Sequence, residues 1–272
     1  MTIQKTSCFL AVIAVLLAAS VPDAVGAEEK TIRLFNGRNL DGWYTFLKDR
    51  GRDADPKKVF TVQDGLLRIS GEEYGCITTV EEYENYVIEV EFKTGTMMFA
   101  PRVGKALDSG LLIHSTGEDG AYSKSWMYSI EVNIIDGGCG DFIVVVPKNR
   151  MDAGYSLTTT AKQVPGVRGL DYDAEGETVT KINNGTPTPR INRIGRDAKR
   201  KDVAHFRDKS GIEKLPGEWN VMKCVVENDT VTVYLNGTFV NKAWNVKPHK
   251  GRIQLQSEGA EYFFRRVDLL PL

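Results

Sequence analysis

The stretch 86–93 sets Tyr86, Ile88, Val90 and Phe92 in strict alternation with Val87, Glu89, Glu91 and Lys93. A period of two sends the first set to one face of a strand and the second to the other. Short runs with strand character recur along the chain. They cover 59–63, 66–70, 75–79, 109–114, 128–135, 141–147, 219–227, 230–235, 238–241, 251–256 and 262–270. Asp64-Gly65 and Asn236-Gly237 join neighbouring runs as tight hairpin turns. No stretch carries the 3.6-residue apolar period of a long amphipathic helix. The expected fold is all-β, a two-sheet antiparallel β-sandwich. The stretch 94–105, with Met97, Met98, Phe99 and Pro101, reads as a loop.

Residues 1–27 read as a secretory signal peptide: Lys5, an apolar run over 9–19, then small residues ending at Ala27 before Glu28. The run is too short to span a bilayer as a mature helix. The expected product is periplasmic or secreted, one domain over 28–272 with an irregular insertion at 148–216. Within the insertion Arg190, Arg193, Arg196, Lys199, Arg200 and Lys201 are interleaved with Asp197 and Asp202. This run reads as a solvated insertion in preference to a polyanion site, although long insertions often border active sites. Lys and Arg number 35 against 36 Asp and Glu. That balance, without long like-charge blocks, argues against nucleic acid or an anionic membrane as partner. Cys76, Cys139 and Cys224 are widely separated and form no CxxC pair, which argues against a structural zinc. Export permits one disulfide among them; three buried thiols is the simpler reading.

The chemistry-bearing residues concentrate in 109–142. In the strand 128–135 Glu131 and Asn133 share a face opposite Ile130, Val132 and Ile134, about 6.5–7 Å apart along the chain. A carboxylate beside an amide suits adjacent sugar hydroxyls or a reacting ring; polar-out alternation suits plain solvent equally well. Asp136, five residues from Glu131, faces away unless a bulge or the turn at Gly137 and Gly138 swings it in. The pattern Glu131-x-Asn133-x-x-Asp136 weakly echoes the ExDxxE strand of laminarinase-like retaining glycosidases. Those enzymes hold two carboxyls about 5–5.5 Å apart. His114 ends the preceding strand. GxSxG, P-loop, HExxH and dinucleotide fingerprints are absent.

The chain resembles the 3-keto-disaccharide hydrolase family. The match runs through Leu34, Phe35, Asn36, Gly37, Gly42 and Trp43, then Ser109, Gly110, His114, Gly117, Glu118, Asp119, Trp126, Ser129, Ile130, Glu131, Gly140, Asp141 and Phe142. It returns at Glu218, Trp219 and Asn220, at Asn236 and Gly237, and at 255–259 (LQSEG), and closes on Phe264 and Arg265. Met127 and Tyr128 stand where the family often has Pro-Lys, and Asn133 where it often has Gln. The resemblance implies a jelly roll of the concanavalin A-like lectin/glucanase type and a carbohydrate substrate. It also implies cleavage of 3-keto-glycosides by C2 proton abstraction, elimination and rehydration. The catalytic candidates are His114 or Glu131 as the base of that chemistry, Asp136 as the second acid of the glycosidase echo, and Glu258 as a further carboxylate at the site. Asn133, Trp126, Gln256 and Asp119 are the substrate-binding ones. A divalent metal ion, if used, would be held by His114 and Asp141. Two alternatives stay open: a non-catalytic carbohydrate-binding module, and a laminarinase-like glycosidase.

Overall fold

The computed structural model describes residues 31–147, 149–182 and 190–272, so the predicted signal peptide lies outside the described residues. Strands dominate, and among the described residues the only helix is one 3-10 turn at Met151–Ala153. One sheet is built in the order Phe60–Gln63, Leu66–Ile69, Ala260–Pro271, Tyr86–Met98, Asn220–Glu227, Thr230–Leu235, Thr238–Lys247. The other runs Trp43–Leu47, Gly75–Thr79, Arg252–Ser257, Asp108–Thr116, Tyr128–Ile135, Phe142–Val145. All of these pairings are antiparallel. Ile88, Val90 and Phe92 from the first sheet meet Leu111, Ile113, Ile130 and Val132 from the second in one continuous apolar core. The alternation that predicts these strands therefore also fixes which face closes on the core, because a one-residue slip would invert every side chain.

Two expectations change. The stretch expected to be a loop is strand as far as Met98, where Ala260 pairs with it. The insertion is also more ordered than its composition suggests. Ser156–Lys162, Leu170–Tyr172, Glu177–Ile182 and Arg190–Asn192 extend the second sheet through Phe142–Val145. Ser156–Lys162 also pairs with Thr238–Lys247 and so ties this extension to the first sheet. Cys76, Cys139 and Cys224 are each free and buried. No helix among the described residues is long and apolar enough to cross a membrane.

Candidate active site

The outward face of the second sheet carries the site. Gly110 pairs with Asn133 and Leu112 with Glu131, which sets Glu131 and Asn133 on one face beside a glycine. That glycine is a spatial requirement. A Cβ on Gly110 would stand 2.4 Å from Gln256 Oε1 and 2.9 Å from Glu131 Oε1. Both side chains therefore fold over the same backbone position from opposite neighbouring strands. Glu131, Asn133 and Gln256 are all buried. Asn133 Oδ1 and Gln256 Oε1 have no hydrogen-bond partner in the protein. Unpaired buried acceptors are uncommon, and two on one face beside a carboxyl mark a surface built for a polar ligand. Gly110→Ala is expected to leave melting nearly unchanged, because the groups it meets are ends of flexible side chains. Turnover should fall on the order of 10²-fold, the usual consequence of an ångström of misplacement; thermal melts and initial rates on one preparation check both.

Burial pushes Glu131 up to about 8, reinforced by Glu258 and Asp141 and opposed by Arg190 and Arg102. Burial also raises Glu258, against Arg102, whose Nη2 lies 3.2 Å from Glu258 Oε1. Two carboxyls are thus held toward their neutral forms within each other's field, with guanidinium groups nearby. An aromatic wall bounds the same face. Trp126 packs on Cys76 and Leu112, and its indole donates to the Gly75 carbonyl at 2.8 Å. Tyr122 and Tyr74 flank it at 6.2 Å between ring centroids. Trp126 is buried between two half-exposed tyrosines, so they, and not the indole, offer ring surface to a sugar.

Beyond this wall the insertion closes over the sheet. Arg193 is fully buried, paired with Asp208 and 3.5 Å from Glu213. Glu213 in turn accepts the Gly137 and Cys139 amides at 2.8 and 3.0 Å. Asp141, also fully buried, is 2.7 Å from Arg190 and 3.3 Å from Arg196 and accepts the Arg193 amide. The run read as a solvated insertion is instead turned inward at Arg190, Arg193, Arg196 and Arg200. Buried charges of this kind persist only when paired, and one-dimensional charge counting cannot see the partners. Together with Arg102 and Arg168, three of these arginines line a cavity of about 330 Å³ that includes Asp108 and Ile135.

Four predicted residues fall elsewhere. His114 lies at a β-bulge, where the register shifts between Ile113 and Thr116 and its own φ is 54°. The bulge reverses the alternation, so the imidazole turns away from Glu131 and stands edge-on to the core residue Tyr86. Burial, opposed by the nearby Pro248 backbone, lowers its pKa to about 4, and neither ring nitrogen has a hydrogen bond of good geometry, which makes it a neutral interior group. Asp136 is a loop clamp: its Oδ2 accepts the Leu107 and His205 amides at 2.9 and 2.8 Å. The two-carboxylate strand of the glycosidase reading thus loses its second acid. Asp119 accepts from the Tyr44 hydroxyl and the Arg52 guanidinium, pinning its loop to the sheet's far edge. Asp141 is committed to arginines. No group of three or more His, Cys, Asp or Glu side chains among the described residues is arranged to hold a metal ion, and His114 with Asp141 does not fit one.

Glu131, Asn133, Gln256 and Glu258 come together. Gly110, Arg102, Arg190 and Tyr122 join them without having been singled out as site residues. An isolated glycine inside a strand pattern is a known sign of close approach and could have flagged Gly110; nothing local points to the arginines.

The fold is a β-sandwich of the lectin/glucanase jelly-roll class, and its second sheet bears a polar face with two carboxyls. A family model for the 3-keto-alpha-glucoside-1,2-lyase-like domain matches residues 30–270, and the chain belongs to that family. Two crystal structures, each of a "putative glycosyl hydrolase" from Parabacteroides distasonis, are similar in fold. One is 21% identical over 89% of this chain and 100% of the other, with a TM-score of 0.50. The second is 20% identical over 89% and 94%, with a TM-score of 0.49. A beta-glucanase from Bacillus licheniformis is 11% identical over 88% and 97%, with a TM-score of 0.42. No curated protein matches the chain.

Proposed function

We propose that this protein is an exported enzyme that cleaves 3-keto-glycosides or 3-keto-disaccharides by elimination and rehydration, with Glu131 as the base. The observation that carries the reading is Glu131 itself. It is a buried carboxyl raised to about 8, set over Gly110 with the unpartnered oxygens of Gln256 and Asn133 beside it. A general base works best when its pKa lies near the working pH. A ketone at C3 acidifies the C2 proton, which a base of this strength can remove.

The steps balance on two carboxyls. Glu131 takes the C2 proton, and the C2–H electrons form the enolate. The Arg102 and Arg190 guanidiniums, whose fields already reach Glu131, stabilise that negative charge. The C1–O bond then breaks with its electron pair going to the leaving oxygen. Glu258, held toward its neutral form, protonates that oxygen. Water adds at C1 with its proton passing to Glu258, and Glu131, whose proton has exchanged with solvent meanwhile, protonates C2. The sum is one glycoside and one water converted to a 3-keto sugar and an alcohol. Asn133 and Gln256 accept hydroxyl protons of the sugar, which orients the ring.

The test is turnover in deuterated water. A 3-keto-disaccharide should yield a product carrying deuterium at C2, while the same disaccharide reduced at C3 stays intact. Rapid cleavage of the reduced sugar without label would replace this reading with an ordinary glycosidase. Binding of the keto sugar with no product would replace it with a carbohydrate-binding module.

A further inference from the structure

The geometry points to the arginine-lined cavity as a subsite for an oxyanion, a uronate carboxylate or a sulfate ester, on a sugar neighbouring the one held at Glu131. Its assignment to a substrate rests on the function proposed above; the anion site itself does not.

The cavity, about 330 Å³, is within the size range of small-molecule sites, roughly 300–1,000 Å³. Its walls carry Arg102, Arg168, Arg190, Arg196 and Arg200 against Asp108, Asp197 and Asp202. Most of this charge is already engaged. Arg102 holds Asp108 and lies 3.5 Å from Asp202, and Arg190 and Arg196 share Asp141. Two guanidiniums remain. The Arg168 guanidinium makes no hydrogen bond or ion pair with any described residue. Arg200 donates through Nε to the Asp136 carbonyl at 2.8 Å, but its Nη2 is buried without a partner. Desolvation, then repulsion from Arg190, lowers the pKa of both, although Arg168 is exposed and only Arg200 is largely covered; an anion held by the pair would offset the repulsion. Guanidinium forks match carboxylate and sulfate oxygens in plane and spacing.

Position links the cavity to the sugar face. Arg102 lines it and also contacts Glu258. Ile135, in its wall, lies on the strand of Glu131 four residues further on, about 13 Å at 3.3 Å per residue. The cavity therefore reaches from Arg102, beside Glu258, as far as Ile135, which is long enough to take an anionic group on the sugar next to the one that reacts.

Calorimetric titration of the mature protein with glucuronate, glucose 6-sulfate, glucose and sodium sulfate, at low and high salt, tests this. Both acidic sugars, or one of them, should bind at least tenfold tighter than glucose and than sulfate alone, weakening with salt. Whichever binds tighter identifies carboxylate or sulfate as the group. Arg168→Met, which removes no hydrogen bond or ion pair with the described residues, and Arg200→Met should each cut the preference severalfold. No preference over glucose, a preference surviving both substitutions, or sulfate binding as tightly as the sulfated sugar would overturn the assignment. Turnover of neutral 3-keto-disaccharides without any anion preference would remove this subsite and leave the proposed reaction. Anion preference without turnover would do the reverse.

Discussion

Glu131→Gln is expected to lower turnover of a 3-keto-disaccharide by roughly 10²–10⁴-fold, the contribution of a positioned general base. The amide keeps the shape over Gly110 and loses only the ability to take the C2 proton. The wild-type rate should rise with pH through about 8 as Glu131 ionises, and the residual rate of the variant should lack that step. Stability supplies a second readout with a definite sign. The folded-state pKa of about 8 lies above the ordinary 4.5, so between these values the folded protein holds a proton that the unfolded chain has released. Glu131 therefore makes the folded state lose stability as pH rises from about 4.5 through 8. Glutamine carries no such dependence, so the variant should melt above the wild type at pH 9 and close to it at pH 4. An inactive variant that melts lower at every pH would indicate a packing role. Full activity would remove Glu131 from the mechanism.

The trade is physically coherent. A carboxyl buried on a sheet face opposes folding once ionised, and it is tolerated where its reactivity is needed. The same holds for the unpaired oxygens of Asn133 and Gln256, whose acceptors are satisfied only by a ligand or solvent.

How far the sequence carries this picture depends on the range of the forces involved. Gly75–Thr79, Tyr128–Ile135 and Thr230–Leu235 have the bounds read from the sequence, because their apolar runs and flanking turns are local signals. The shared face of Glu131 and Asn133 follows from the same period. Ser156–Lys162 (SLTTTAK) has no apolar alternation and is a strand only because distant segments pair with it on both sides. His114 shows where local reading fails at the site. A regular strand would align it with Gly110 and Leu112, and one bulge, closed by the Tyr155 hydroxyl on the His114 carbonyl at 2.7 Å, turns it inward. Asp136, Asp119 and Asp141 are carboxylates whose partners lie 29 to 75 residues away, so no window of sequence distinguishes them from free acids. The arginines are illegible for the same reason.

Val90→Asp should prevent folding or cost most of the stability, while Glu89→Gln on the adjacent position should shift melting little. Val90 is fully buried at the centre of the first sheet, with Met222 opposite it on one side and Val267 on the other. Its face is the apolar layer on which the site-bearing sheet packs, so no water or cation reaches a carboxylate placed there. An unpaired buried charge costs about 3 kcal/mol or more, against a total stability of about 5–15 kcal/mol for a domain. Glu89 points outward, 3.8 Å from Lys223 and 3.2 Å from Arg266, partly exposed ion pairs of the kind that contribute about 1 kcal/mol or less. Denaturant midpoints of the two variants would separate these cases. The comparison also bears on function. The second sheet holds Glu131, Gln256 and Glu258 in place only while the first sheet supports it from behind. Any Val90→Asp protein that remains soluble should therefore lose turnover in step with its folded fraction. Equal midpoints for the two variants would mean that the strand faces are reversed, and with them the face on which Glu131 stands.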